Sequence, residues 1–396
     1  MPACRTVLVV AHTRTYVQRL RDVFALLEAD LRIQVVFTVA PHAFNEGTER
    51  YLEGLGVTVL PWEKAISARF DLALTAGSRS VEQLQAPVLR MSHGAGHIKL
   101  LREPEVQAAD GDARPPGMLS RRQLTHGGVV VPAAVALAHE RDRLELSRYC
   151  PEALPVTEVV GDSCYDRIVA GLPRRARYRR ALGLTASDRL VLITSTWGPS
   201  SSFGQFGALL PRLLDELPAP RFRTAALVHP NVWSGHGDRQ VRAWLSVLQR
   251  RGLAVVPPEA DWQAPLISAD WIVGDHGSVT TYGTLTGAPI VLARFPEGEV
   301  SASSPAARLA RAVPALCPMR PVLEQLRYAT ETYRPAEHQR IADLLSSEPG
   351  RFHRRMRSVL YRLLRLGEPA FTPAPEPIPL PRPLTRWSAA LSERSA

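Results

Sequence analysis

Two short stretches bring together residue types that can hold an anion and move a proton. The first is GDHGSVTTYG (Gly274–Gly283), with an acid, a histidine, a glycine and a serine between an apolar run and a helical stretch. Gly277 leaves room for the backbone to approach a ligand, and Ser278 is a residue type that caps helices. The free N–H groups of the first helical turn, through Val279, and the positive dipole end favour an anion. Asp275 and His276 then suit a ribose hydroxyl, a phosphate or a leaving group. The alternative is an ordinary Asp/Ser cap. The second stretch is HGAGHIKL (His93–Leu100). His93 and His97 have the i, i+4 spacing of a metal pair on a helix, but Gly94 and Gly96 between them argue for a loop. No carboxylate lies within five residues on either side, so no metal is expected. The reading favoured instead makes Gly94 and Gly96 an anion-approach loop and His93 a catalytic base, with a surface histidine as the alternative.

Two further strand ends add to this set. STWGPSSSFG (Ser195–Gly204) offers the hydroxyls of Ser195 and Thr196 and backbone N–H groups before a helix. His229 precedes Pro230, which biases it to extended geometry, as either a structural or a phosphate-contacting residue.

These residues need a scaffold that presents strand ends. Apolar, β-branched runs at 6–11, 32–40, 57–61, 71–76 and 87–92 alternate with helical stretches. A second series, at 188–195, 223–229, 253–257, 271–274 and 289–293, does the same. Such alternation predicts an α/β protein with two Rossmann-like parallel-sheet domains facing a cleft, and such sheets bind ligands at strand C-termini. The expected boundaries are 1–160 for an N-terminal acceptor domain and 161–345 for a C-terminal nucleotide-donor domain. A basic C-terminal helix at 346–367 and a proline-rich tail at 368–396 follow, the tail read as an extended, poorly packed spacer. In the basic helix Phe352, Met356, Val359, Leu360 and Leu363 share one face. That face predicts docking on the body, or alternatively peripheral contact with an anionic membrane through residues 351–366.

Composition excludes several classes. The formal charge is +10, yet of 48 basic residues only Lys64 and Lys99 are lysine, a bias that fits a GC-rich genome better than a binding surface. The arginine runs match no nucleic-acid motif, so no nucleic acid is expected as a partner. Lys64 precedes Ala65 and Lys99 precedes Leu100, so neither can close a P-loop. Cys4, Cys150, Cys164 and Cys317 are scattered, and the first residues carry no signal-peptide pattern, so a cytoplasmic protein is expected.

VVGDSCYDRI (Val159–Ile168) resembles the Gly-x-Pro-x-x-Asp linker of GT-B transferases, with Ser163 in place of proline. Taken with SHGAGHIK, STWGPSSSFG, LVHP and ADWIVGDHGSVTTYGTLTGAPIVL, the order of motifs resembles the CDP-glycerol glycerophosphotransferase family of teichoic-acid polymerases, over about residues 88–295. The UDP-GlcNAc 2-epimerases are more distantly similar. The resemblance implies a transferase of cell-envelope biosynthesis that moves a glycosyl or glycerol-phosphate group from a nucleotide-activated donor to a hydroxyl acceptor. His93 would be the acceptor-activating base, with Gly94, Gly96 and Lys99 in its loop. His229 and the Asp275–Ser278 loop would hold the donor phosphates, aided by Ser195 and Thr196. No cofactor is implied. His276 stands where the family has an aromatic residue, and Lys99 sits one residue late. A sugar-nucleotide 2-epimerase and a non-catalytic nucleotide-binding protein are the alternatives.

Overall fold

A computed structural model describes residues 5–101, 114, 116–371 and 375–388. The chain divides into two compact units. Unit 1 comprises Met1–Asp166 and Leu345–Glu376, and unit 2 comprises Arg167–Leu344 and Pro377–Ala396.

Unit 1 is built on a seven-stranded sheet of β1 (Arg5–Ala11), β2 (Ile33–Val39), β3 (Val59–Leu60), β4 (Leu72–Thr75), β5 (Val88–Met91), β8 (Ala134–Leu137) and β9 (Thr157–Val159). A small antiparallel hairpin, β6 (Thr125–His126) and β7 (Val129–Val130), stands apart. The sheet order is β3-β2-β1-β4-β5-β8-β9, and every pairing in it is parallel. Parallel strands need helical crossovers on both faces, so their side chains are apolar on both sides. Val7, Val9, Leu72 and Leu74 pack on one face beneath the helix Arg14–Phe24, and Leu8, Val10, Ala73 and Val88 fill the other. The last two sheet strands were not among those read from the sequence. Pro132 interrupts the apolar run that leads into β8, and β9 has only three residues.

Unit 2 repeats the plan with β10 (Arg189–Ser195), β11 (Phe222–Val228), β12 (Ala254–Val256), β13 (Trp271–Gly274) and β14 (Ile290–Leu292). Its order is β12-β11-β10-β13-β14, again all parallel. In both units the order reverses beside the first strand, between β1 and β4 and between β10 and β13. Open α/β sheets bind ligands at such reversals, outside the strand C-termini.

Of the two C-terminal segments, the helix docks on the body as expected and the proline-rich tail is less loose than expected. The helix Phe352–Leu364 turns Phe352, Met356, Val359, Leu360 and Leu364 into the core of unit 1. The face proposed for a membrane is therefore already covered by protein. Among the described residues no helix is long and apolar enough to cross a membrane. The proline-rich segment is extended as expected but is not a loose spacer, because Ile378, Leu384 and Trp387 are buried in unit 2. The Trp387 carbonyl also accepts a 2.9 Å hydrogen bond from the Gln249 side chain. Prolines keep the chain straight and cheap to order while every few residues an apolar side chain docks. Residues 372–374 and 389–396 of that tail lie outside the described residues.

Removing the tail should therefore unfold or loosen unit 2 rather than leave it intact. Trp387→Ala is expected to cost about 3–5 kcal/mol, the usual range for emptying a buried aromatic site. Urea denaturation followed by circular dichroism measures this, and an unchanged midpoint would mean that the docked tail contributes nothing.

Candidate functional site

In unit 2 the loops after β10 and β13 are held together by one carboxylate. Asp275 is 1% exposed. Its Oδ1 accepts from the Gly277 amide at 2.9 Å, and its Oδ2 accepts from the Thr196 and Ser202 amides at 2.9 and 2.8 Å. Beneath it the Thr194 and Thr280 hydroxyls lie 2.8 Å apart, and Thr280 Oγ1 accepts from the Asp275 amide at 3.3 Å. Ser195 is spent in the same way: its hydroxyl donates to the Thr196 carbonyl and accepts from the Phe203 amide at 2.7 Å. The acid and the serine expected to meet a ligand therefore spend these bonds on shaping the two loops around the β10/β13 reversal.

The short helix Ser278–Tyr282 begins at its expected cap, one residue earlier than the sequence suggested. Gly277 occupies the cap position with φ −72° and ψ 157° and no side-chain cap bond, and Ser278 is the first helical residue. A Cβ on Gly277 would lie 3.0 Å from Asp275 Oδ1 and 3.1 Å from Thr196 Cβ. A side chain at this position would press on both loops, quite apart from any ligand. His276 folds inward at 2% exposure, whereas Gly277, Ser278 and Val279 are half-buried and form the accessible edge of the turn.

His229 caps the helix Pro230–His236 after β11, and its Nδ1 accepts from the Asn231 amide at 3.0 Å. A neutral imidazole that accepts at Nδ1 carries its proton on Nε2. The half-buried ring is thus set as a donor, the polarity that a phosphate oxygen needs.

In unit 1, His93 follows β5 in a loop, as its two glycines predicted. Gly96 has φ 74°, a left-handed conformation that favours glycine, and its amide donates to the Gly94 carbonyl at 2.9 Å. Lys99 is half-buried, and its carbonyl accepts from the Gly117 amide at 2.9 Å. The His93 ring lies 4.6 Å from that of Tyr16, within a cluster that also contains His12 and His42. His12 Nε2 donates to the Arg79 carbonyl at 2.7 Å, and its buried Nδ1 has no partner. His93 Nδ1 is likewise buried without a partner.

Burial pulls the His12 and His93 pKa values down to about 4, against hydrogen bonds to the Arg79 and Ala76 backbone that pull the other way. His97 falls to about 3 for the same reason, with Arg90 adding to the effect. Its Nε2 lies 3.8 Å from Asp142, whose own pKa burial raises to about 6. Both partners are thus biased toward their neutral forms. Among the described residues no group of three or more His, Cys, Asp or Glu could hold a metal ion.

His12, Tyr16, His42, Arg90 and Asp142 were not read from the sequence. His12 had a usable signal, since it directly follows β1 and precedes the helix cap Thr13. Asp142 had none, being 45 positions beyond its partner His97 in the chain.

No protein-family model matches the sequence, and no curated protein matches it. Among solved structures, the wall teichoic acid polymerase TagF in its H444N form with CDPG superposes with a TM-score of 0.60 at 10% identity, over 91% of this chain and 89% of that one. UDP-GlcNAc 2-epimerase from Neisseria meningitidis, bound to UDP-GlcNAc, gives a TM-score of 0.52 at 14% identity, covering 91% of this chain and 99% of its own. The S. aureus MnaA–UDP structure gives 0.53 at 12%, covering 94% and 100%. The chain has the GT-B fold of these proteins, with two Rossmann-like units.

Two measurements test the site's physics. Asparagine at 275 supplies one acceptor where the amides of Thr196, Ser202 and Gly277 need a whole carboxylate, and its NH₂ group faces a donor. Asp275→Asn should cost about 1–3 kcal/mol and lower the melting temperature by several degrees. A plain helix cap would leave the melting temperature nearly unchanged.

The second concerns acid. The folded pKa values of His12, His93, His97 and His338 lie below the unfolded value, so the unfolded chain binds more protons between about pH 6.5 and 4. Stability should fall as pH drops through that window. Asp142, raised to about 6, opposes this by gaining a proton in the folded state first, as do Asp166 and Glu28, while burial of His42 adds to the histidine effect. Melting temperatures from pH 7.5 to 4.5 should decline, and a flat profile would contradict these burial effects.

Proposed function

We propose that the protein is a transferase that moves a glycosyl or glycerol-phosphate group from a nucleotide-activated donor to a hydroxyl acceptor. The observation that carries this reading is the pair of loops after β10 and β13, bound by Asp275 into one turn at the strand-order reversal of unit 2. Solved proteins of the same fold hold UDP-GlcNAc, UDP or CDPG, which supports a nucleotide-activated donor here. A role in cell-envelope polymer synthesis follows from the likeness to the teichoic acid polymerase.

In this mechanism the half-buried edge Gly277–Val279 and the Nε2–H of His229 contact the donor phosphates, while Asp275, Ser195 and Thr196 shape the loops. His93 of unit 1 accepts the acceptor's hydroxyl proton on its unpartnered Nδ1 as the new bond to oxygen forms. The bond to the leaving nucleotide breaks, and its electron pair settles on the phosphate, where N–H donors stabilise the charge. A pKa of about 4 makes His93 neutral and able to accept a proton, though a weak base. Binding of an anionic substrate nearby would raise it toward the working pH, where a general base is most effective.

A second reading, sugar-nucleotide 2-epimerase, gains from one observation: the buried His97–Asp142 pair puts a carboxylate of raised pKa into unit 1, as proton abstraction at carbon would need. Conversion of a nucleotide sugar without any acceptor would favour it.

A thermal-shift panel of CDP, UDP, GDP and TDP with their sugar and glycerol conjugates should reveal one stabilising nucleotide. A ligand at 100 times its Kd adds about 2.7 kcal/mol. With that donor, His93→Ala should lower turnover roughly 10²–10⁴-fold with little change in donor affinity. Equal turnover removes His93 from the chemistry, and lost donor binding makes it a phosphate ligand instead.

A further inference from the structure

In the sheet of unit 1, β4 lies between β1 and β5, so the turn after β4 sits between the loops that carry His12 and His93. Both imidazoles donate to carbonyls of that turn. His12 Nε2 bonds to Arg79 at 2.7 Å, and His93 bonds to Ala76. Thr75 fixes the turn, since its hydroxyl donates to the Gly77 carbonyl at 3.0 Å and accepts from the Gly77 amide at 3.1 Å. Burial keeps both rings neutral near pH 7. A neutral imidazole that donates through one nitrogen carries a lone pair on the other. In both rings that other nitrogen, Nδ1, is buried and has no partner. Each is an unmet acceptor, held in that role by a backbone carbonyl. Ser78 Oγ, in the same turn, is also buried without a partner.

The two acceptors share a neighbour. The Tyr16 ring centroid lies 5.7 Å from that of His12 and 4.6 Å from that of His93. A Cβ on Gly77 would come 3.0 Å from His12 Nδ1 and 2.7 Å from Tyr16 Cε2. His12 Nδ1 and the Tyr16 edge therefore converge over the Gly77 backbone, where a side chain would clash. His12 is fully buried, whereas Tyr16, His42 and His93 keep part of their surface exposed. What this group lacks is a donor. Ionised carboxylates and phosphates offer none, and Arg79 on the same turn disfavours an ammonium ion. A hydroxyl can donate to an imidazole nitrogen and exchange a bond with Ser78. The Tyr16 and His42 rings offer apolar faces to the carbon skeleton that bears it.

We propose that the acceptor is a neutral polyhydroxyl group, a sugar ring or a linear polyol, that donates one hydroxyl to His93 Nδ1 and a second to His12 Nδ1. His12 is then a specificity-determining residue, because holding the second hydroxyl aims the first at His93. Naming this group the acceptor rests on the transferase reading, whereas its binding does not.

The test is nitrogen NMR of the full chain with isotope-labelled histidine, titrated with glycerol and, in parallel, a methyl glucoside. The Nδ1 signals of His12 and His93 should shift together and saturate as each accepts a hydrogen bond. The stronger response to the glucoside indicates a sugar ring, and the stronger response to glycerol a linear polyol. His12→Ala should weaken that affinity roughly 3–10-fold, the loss expected for one uncharged hydrogen bond. His12→Asn keeps an acceptor oxygen near the Nδ1 position and should retain most of it. With the donor from the nucleotide panel, His12→Ala should raise the acceptor KM more than it lowers kcat, the reverse of His93→Ala. A shift at His93 alone, or at neither ring with either probe, overturns the proposal. So does affinity unchanged in His12→Ala, or lost equally in His12→Asn, which would make His12 a structural residue. Should His12→Ala not fold, the His12 signal of the parent decides. A protein that binds a polyol at both rings but transfers nothing to it keeps this site and loses the transferase reading.

Discussion

The Asp275 carboxylate organises unit 2. A parallel sheet sheathed in helices buries its strands on both faces, so polar chemistry is confined to the loops at the strand ends. The loop after β10 (196–202) is long and rich in serine, and without a fixed centre it would sample many shapes. One buried carboxylate accepting from three backbone amides supplies that centre. Charge-assisted bonds of this kind are short and strong, and they also satisfy amides that would otherwise be buried unpaired. Ser195 and the Thr194–Thr280 hydroxyl pair extend the same lattice beneath it. Asp275 and Ser195, suggestive of catalysis in the sequence, thus act with the threonine pair as framework for the two loops.

Unit 1 uses the opposite sign. Arg19 is buried beneath the His93 loop, where it donates to the Ser92 carbonyl at 3.2 Å and pairs with Asp162 at 2.6 Å. Asp162 in turn accepts from the Tyr165 amide at 2.8 Å and so caps the helix Ser163–Gly171. The linker motif and the His93 loop are therefore tied through one guanidinium. This explains the retention of Asp162 as a fully buried residue, where an unpaired acid would be costly. It also separates two buried arginines of the same unit, Arg19 paired with Asp162 and Arg90 with no carboxylate partner among the described residues.

Much of the fold was legible because hydrophobic periodicity survives in single strands. All ten strands read from apolar runs are present, displaced at their ends by a residue or two. The helix Phe352–Leu364 docks on the body as its apolar face predicted, although nothing local named the sheet of unit 1 as its cover. What failed was a feature set by partners far along the chain. The proline-rich tail read as a spacer since proline signals extension, whereas docking depends on Ile378, Leu384 and Trp387 meeting a surface built from distant residues. Site residues followed the same division. Strand-end placement found His93, His229 and the Asp275 turn, because position after a strand is a local property. The environment of each, including the tautomer of His229 and the inward turn of His276, comes from contacts in space.

Gly277 illustrates how geometry changes the meaning of a residue type. From the sequence its missing side chain reads as space reserved for a ligand. In the structure a Cβ there would press on Thr196 and on the very oxygen of Asp275 that receives the Gly277 amide. Its φ of −72° is open to any residue, so the preference for glycine comes from packing rather than from backbone conformation. A bulky substitution would press on the two loops that Asp275 joins, so its effect reports the shape of the turn before any ligand contact. The parts that can be altered separately are His229, whose ring is held by a local amide bond, and His93, whose accepting nitrogen has no structural partner.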